Sequence, residues 1–262
     1  MIKLHSDILK LISYYTCPFD DLTCAKLGLI NVLATRTHIN AKLDENIFIY
    51  AAKYDQLNLL KWLHSMNVEG WTGTVINIAI TYEHFEIVKW LYEHGLSSTH
   101  ALYYAICNGK FLITKWLHEN LSIDNDNVIN TAIDYVVCYN NLEFIKWLHE
   151  NGYKASSFAM VKAASYGYLE LVIWLHEHNY IYEKAMDEAV NGDHEDVVIW
   201  LHNHGYSVSD HIMSYTIATD KPMLFKLLHS LGYRATPYAV DFAAKNGDLE
   251  LLTWLHENGY RG

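Results

Sequence analysis

The chain has 262 residues, 51% of them apolar, a mean hydropathy near zero and a net charge of −11. That balance suits a folded core, and an acidic surface with no offsetting Lys/Arg cluster repels phosphate backbones, so nucleic acid is not an expected partner. No run of 18 apolar residues occurs, which argues against a membrane-spanning helix.

The opening residues, Met1-Ile2-Lys3-Leu4-His5-Ser6-Asp7, lack the apolar stretch and small-residue cleavage site of a secretory signal. The four cysteines (Cys17, Cys24, Cys107, Cys138) show no metal-type pairing and are too few for a disulfide framework. Reduced thiols and a cytoplasmic location are the expectation.

Residues 1–40 read as a helical segment covering the start of an array. From residue 41 to 262 one short phrase recurs, clearest in Trp147-Leu148-His149-Glu150-Asn151-Gly152-Tyr153 and Trp254-Leu255-His256-Glu257-Asn258-Gly259-Tyr260. Its anchors are Trp62, Trp90, Trp116, Trp147, Trp174, Trp200, Leu227 and Trp254, spaced 26 to 31 apart and holding seven of the eight Trp. A period in this range marks a stack of supersecondary units.

Each unit is predicted as helix, tight turn, helix and short loop. Fourteen residues before the anchor (position −14) stand Phe48, Ile76, Leu102, Ile133, Met160, Met186, Met213 and Val240. Positions −11 and −10 hold pairs such as Ala51-Ala52, Ala163-Ala164 and Ala243-Ala244. This spacing places one apolar, small-residue stripe on a first helix.

At −18, Asp44, Thr72, Ser98, Ser156, Ser209 and Thr236 can cap its N-terminus, and Pro237 suits its first turn. At −7, Asp55, Gly109, Asn140, Gly167, Asp193, Asp220 and Gly247 suit a left-handed turn, with Glu83 as the exception. A second helix runs through pairs such as Leu171-Val172 and Leu251-Leu252 to a glycine after the anchor. In the last copy Leu251, Leu252 and Leu255 are expected to leave an apolar end face open to end-to-end self-association.

Ala163 to Val172 and Ala243 to Leu252 resemble the helix-turn-helix core of the ankyrin repeat, and Ala235-Thr236-Pro237-Tyr238 resembles its Thr-Pro-Leu opening. The resemblance covers residues 41–262 and implies an all-α, ankyrin-like solenoid of eight repeats. These units have about 27 residues against the family's usual length of about 33, which implies short loops where β-hairpin fingers would stand. The Trp-Leu-His-Glu-Asn-Gly wording resembles repeat proteins of giant DNA viruses of amoebae (mimivirus-like), implying a viral protein that binds a host protein in the host cytoplasm. The run from Leu4 through Ile8, Leu11 and Ile12 to Leu22 resembles the opening of an F-box, with His5 in place of the usual Pro. That resemblance implies docking on an Skp1-type adaptor of a ubiquitin ligase; the other reading is a plain helical cap.

Histidine is abundant: sixteen in all, seven of them at position +2 (His64, His118, His149, His176, His202, His229, His256). Packed helices stand about 8–10 Å apart and metal–nitrogen bonds are about 2 Å. Equivalent His on successive units therefore cannot share an ion, and a structural ladder of imidazoles is expected rather than a metal enzyme. Asp124-Asn125-Asp126-Asn127 begins like a calcium loop, but Ile129 replaces the turn glycine and Tyr135 the terminal Glu. No catalytic residue, cofactor or metal is expected.

Position −8, two beyond the small pair, carries Tyr54, Tyr82, Tyr139 and Tyr166, and position −13 carries Tyr103, Asp134, Asp187 and Asp241. Both are expected to be exposed on the first helices, which line the concave face in ankyrin-like stacks. Tyr offers a large apolar body with a polar tip. These eight residues are the expected partner-binding set, and packing of the rings on neighbouring repeats is the alternative.

Overall fold

The computed structural model describes residues 19–38, 43–44, 46–96, 100–120, 131–236 and 238–260. Eighteen α-helices and no strand are found among them. The chain divides into two compact units, residues 1–124 and 125–262.

The first unit holds four helix pairs: α1 (Asp21–Leu27) with α2 (Ile30–His38), α3 (Ile47–Lys53) with α4 (Leu57–Ser65), α5 (Gly73–Thr81) with α6 (Phe85–Glu93), and α7 (Ala101–Cys107) with α8 (Phe111–Asn120). The second holds five: α9 (Ala132–Val136) with α10 (Leu142–Glu150), α11 (Ser157–Ser165) with α12 (Leu169–Glu177), α13 (Ala185–Gly192) with α14 (Glu195–Asn203), α15 (Ile212–Ala218) with α16 (Pro222–Ser230), and α17 (Tyr238–Asn246) with α18 (Leu249–Glu257). Within each unit every first helix packs on its own second helix and on the first helix of the next pair.

The small-residue pairs explain that close row. Ala51, Ala52, Ala79, Ala105, Ala163, Ala164 and Ala189 have no solvent exposure, and Phe48, Ile76, Ile133, Met160 and Met186 are buried beneath them. In α9 Val136 stands where six of the other units have Ala and one has Thr216, and the helix gives way to a 3₁₀ turn over Val137–Tyr139.

The tight turn is uniform. Asp55, Glu83, Gly109, Asn140, Gly167, Asp193, Asp220 and Gly247 all have positive φ, between 49° and 73°. Glu83 therefore joins the pattern it was expected to break. After the second helix the same device recurs, with Asn67 and Asn179 standing where the other described copies have glycine.

Residues 20–38 reuse this plan without the Trp anchor. Asp20 caps α1 through Thr23 N–H at 2.7 Å, Cys24-Ala25 supplies the buried small pair, and Gly28 closes the helix at φ 66°. Of the F-box-like positions, Leu22 lies in α1 and is half-buried, whereas Leu4, Ile8, Leu11 and Ile12 lie outside the described residues. Ser98, Pro237 and Asp124 to Asn127 also lie outside them.

Gly167 carries two constraints at once, its φ of +73° and the His194 ring, whose Nδ1 would stand 2.4 Å from an added Cβ. Gly247 has a similar φ of +72° but nothing within 4 Å of that position. Gly247→Ala is expected to cost about 1 kcal/mol for the left-handed backbone alone, and Gly167→Ala more than that, which urea unfolding of the two variants will separate.

Candidate functional site

A column of polar residues repeated at one position has two uses: it bonds the neighbouring repeat, or it faces outward and recognises something. The bonding pattern separates the two. Three columns are joints between repeats.

The first joint links the middle of one first helix to the start of the next. Asp134 accepts from Ser156 N–H at 2.8 Å and from its hydroxyl at 2.6 Å. Asp187 accepts from Ser209 N–H at 2.8 Å and from its hydroxyl. Ser214 and Thr236 pair at 3.1 Å in the same register, 22 residues apart. Where position −18 holds Tyr182, the preceding −13 residue is Val161, so both halves of the joint change together.

Asp134 and Asp187 are consequently buried, at 7% and 5% exposure, and are not part of an outward face. Their carboxylates are committed because a buried charge needs its hydrogen bonds met from within. The Ser/Thr column likewise differs from expectation. Ser156 caps its helix through Phe158 N–H at 3.1 Å, but Thr72 makes no side-chain cap and Ser209 is spent on Asp187.

The second joint was not read from the sequence. In four repeats a side-chain nitrogen of the residue just past the tight turn, at −6, reaches back to the carbonyls that end the preceding first helix, whereas Lys110 pairs with Glu83 and Asn141 and Asp248 cap their own second helices. Gln56 donates to Lys26 O at 3.3 Å, His84 Nε2 to Lys53 O at 2.9 Å, and His194 Nε2 to Ser165 O at 3.0 Å. Lys221 Nζ reaches Val190 O and Asn191 O at 3.0 and 2.7 Å. A helix leaves its last carbonyls unpaired, and the next repeat supplies the donors. The steady run of polar side chains after the left-handed residue was the available signal.

The third joint is the imidazole ladder. Nδ1 of His149, His176 and His202 pairs with the hydroxyl of Tyr180, Tyr206 and Tyr233 at 3.1, 3.0 and 3.1 Å. His64, His149, His176 and His229 also set their rings edge-on against the following Trp, with centroids 4.8 to 5.5 Å apart. Burial pushes the Tyr206 and Tyr233 hydroxyls up, and that of Tyr153 up to about 12, so the phenols stay neutral. At +4, Asn120, Asn151 and Asn258 donate to the anchor carbonyl at 2.8 Å, and His94, His178 and His204 do the same through Nδ1 at 2.7 to 2.8 Å. The recurring phrase is thus largely a helix C-terminus with its caps.

No group of three or more His, Cys, Asp and Glu among the described residues could hold a metal ion. No helix among them is long and apolar enough to cross a membrane.

What remains outward is the tyrosine column. Tyr82, Tyr139 and Tyr166 are 46%, 48% and 48% exposed at the ends of their first helices. Tyr82 lies parallel to the His84 ring, and Tyr166 leans on Tyr168 with centroids 5.6 Å apart. Tyr54 is half-buried, with Lys26 and Lys53 Nζ 5.1 and 5.5 Å from its ring centre. Lys53 also stands 5.5 Å from the Tyr82 ring, and its bond to Tyr82 raises its pKa. Tyr103 is half-buried, and Asp241 is exposed. In the last pair Leu251 and Leu255 are buried and Leu252 half-buried, so the expected apolar end face is not built from them; Leu249, 76% exposed, and Tyr238 are the open residues there.

If Asp134 is a joint, Asp134→Ala leaves two donors of Ser156 unpaired and is expected to cost about 2 kcal/mol by urea unfolding, against under about 0.5 kcal/mol for exposed Asp241→Ala. A comparison with protein-family models gives no match for this chain, and none of the curated proteins matches it.

Proposed function

We propose that the chain is a non-enzymatic protein-binding scaffold of the ankyrin-like solenoid type, which holds a partner protein through the tyrosines at the ends of its first helices. One observation carries this reading. Most other repeating polar columns are spent on bonds to the neighbouring repeat or on caps of their own helix, while Tyr82, Tyr139 and Tyr166 remain nearly half exposed. A large ring held on a short, fixed helix end loses little freedom on binding, and aromatic residues of this kind dominate interface energetics.

The wording of the repeats supports a viral origin and a host protein as the partner, in the host cytoplasm. The construction of α1 and α2 supports the helical-cap reading of the first forty residues: α1 packs on α3, and Gln56 satisfies the Lys26 carbonyl as the later joints do. The Skp1-adaptor reading has behind it, among the described residues, only the half-buried Leu22.

The test is capture from lysate of a candidate host with the full chain as bait, set beside a variant carrying Tyr54→Ala, Tyr82→Ala, Tyr139→Ala and Tyr166→Ala. Loss of a partner that the parent chain retains is the expected result. An unchanged set of captured proteins, with the variant still folded by circular dichroism, would place the binding surface elsewhere.

A further inference from the structure

Among the described residues, three of the +2/+4 contacts between repeats carry two imidazoles where the others carry one or none. In the first unit, His64 lies 5.4 Å from His94, centroid to centroid. In the second, His149 lies 4.9 Å from His178 and His176 lies 5.6 Å from His204. Each pair combines the +2 ring of one repeat with the +4 ring of the next. The +4 ring packs on its own Trp, with centroids 4.4, 4.1 and 3.7 Å apart for His94, His178 and His204. We infer that these three paired-imidazole joints are acid-sensitive seams, closed when the rings are neutral and weakened when both rings of a pair take up a proton.

The geometry sets the order of events. Nδ1 of His94, His178 and His204 faces a backbone carbonyl, which can only accept, so that nitrogen carries the hydrogen and Nε2 is left to take the next proton. The end of a helix favours a cation there, so one proton per pair is tolerated. The second proton puts like charges about 5 Å apart in ring contact, across the boundary between two repeats.

The groups facing each pair soften this only in part. Glu150 beside His149 favours its protonated form, but burial first, and then the His178 ring, hold the His149 imidazole below its ordinary value. Tyr180 and Trp174 are its other neighbours, and neither carries a balancing charge. Glu177 adjoins His176 and His178 in the chain, and Glu183 lines an open cleft of about 370 Å³ with His176, His204 and Tyr206, through which solvent reaches the pair. Around His64 stand Trp71 and Trp90, with Glu93 next to His94. His229 faces Trp254 and Tyr260, with Asn258 at the +4 position of the next repeat, and burial, then Arg234, hold its ring below the ordinary value as well.

The direction follows from linkage. A histidine whose folded pKa lies below the unfolded value of 6.5 takes up fewer protons folded than unfolded. Its contribution is fully present above that value and is lost as the pH falls through the folded pKa. For the His149 seam this sets the sign, held at neutral pH and above and weakened on acidification into the range where histidine titrates. The other two seams share its ring-on-ring geometry.

The other repeats supply the control. Asn120, Asn151 and Asn258 make the same carbonyl bond from the same position without titrating. The experiment measures Tm of the full chain from pH 8 to pH 5, beside a variant carrying His94→Asn, His178→Asn and His204→Asn. The two should melt alike at pH 8, and the variant should lose fewer degrees by pH 5. Parallel curves would overturn the inference. If the triple variant is already weaker at pH 8, imidazole proton titration of the parent chain by NMR decides: a His149 pKa that rises in His178→Asn supports the seam, and one that does not move refutes it.

Discussion

Short helices carry a debt of unpaired backbone groups, and meeting it is the constraint on which the rest of this structure depends. The helices here run five to ten residues, and an α-helix leaves four N–H and four C=O groups without partners inside itself. A helix of that length has little stability alone. The solution is mutual: each repeat brings side chains to the open ends of its neighbour. Asp134 takes the N–H of Ser156 at the cap of the next first helix, and Asp187 that of Ser209 just before the next one. His84, His194 and Lys221 reach the carbonyls that close the previous one. Apolar packing brings the helices together, and these bonds set the register in which they meet.

Conserving that register explains the wording of the chain. A Trp at the anchor gives the following ring at +4 a surface to pack on and gives the preceding repeat's +2 ring an edge-on partner. A left-handed residue at −7 turns the chain back at once, and the next position supplies the reaching donor. Gly167 shows why the alphabet narrows locally: with His194 folded over it, a Cβ has no room. Gly247 has that room, and the demand there is on the backbone alone.

Much of this was legible in the sequence. Helix pairs, buried stripes and the left-handed turns followed from spacing, because the small pairs and the anchors recur on a fixed period. The imidazole ladder also follows the expected column, with His64, His149, His176, His202 and His229 each meeting the next repeat. What spacing could not give was the direction of a side chain that borders two surfaces. Position −13 looks exposed on an isolated helix, and it becomes interior for Asp134 and Asp187 because the following repeat lays its Ser156 or Ser209 across it. The −8 column escapes the same fate for Tyr82, Tyr139 and Tyr166, which sit past the last full turn. Two acidic residues thus move from the candidate face into the joints, Tyr54 and Tyr103 are half-buried, and Tyr82, Tyr139 and Tyr166 remain exposed.

The most direct test of the account is whether the polar columns join neighbouring repeats rather than serve each repeat separately. Asp187 and Ser209 give the cleanest pair, 22 residues apart in the chain and bonded through both the backbone and the hydroxyl of Ser209. A double-mutant cycle with Asp187→Ala and Ser209→Ala, read by urea unfolding, should show a coupling of about 1–2 kcal/mol. Strictly additive losses would mean that the two side chains act independently, and the joints would not be what holds the repeats in register.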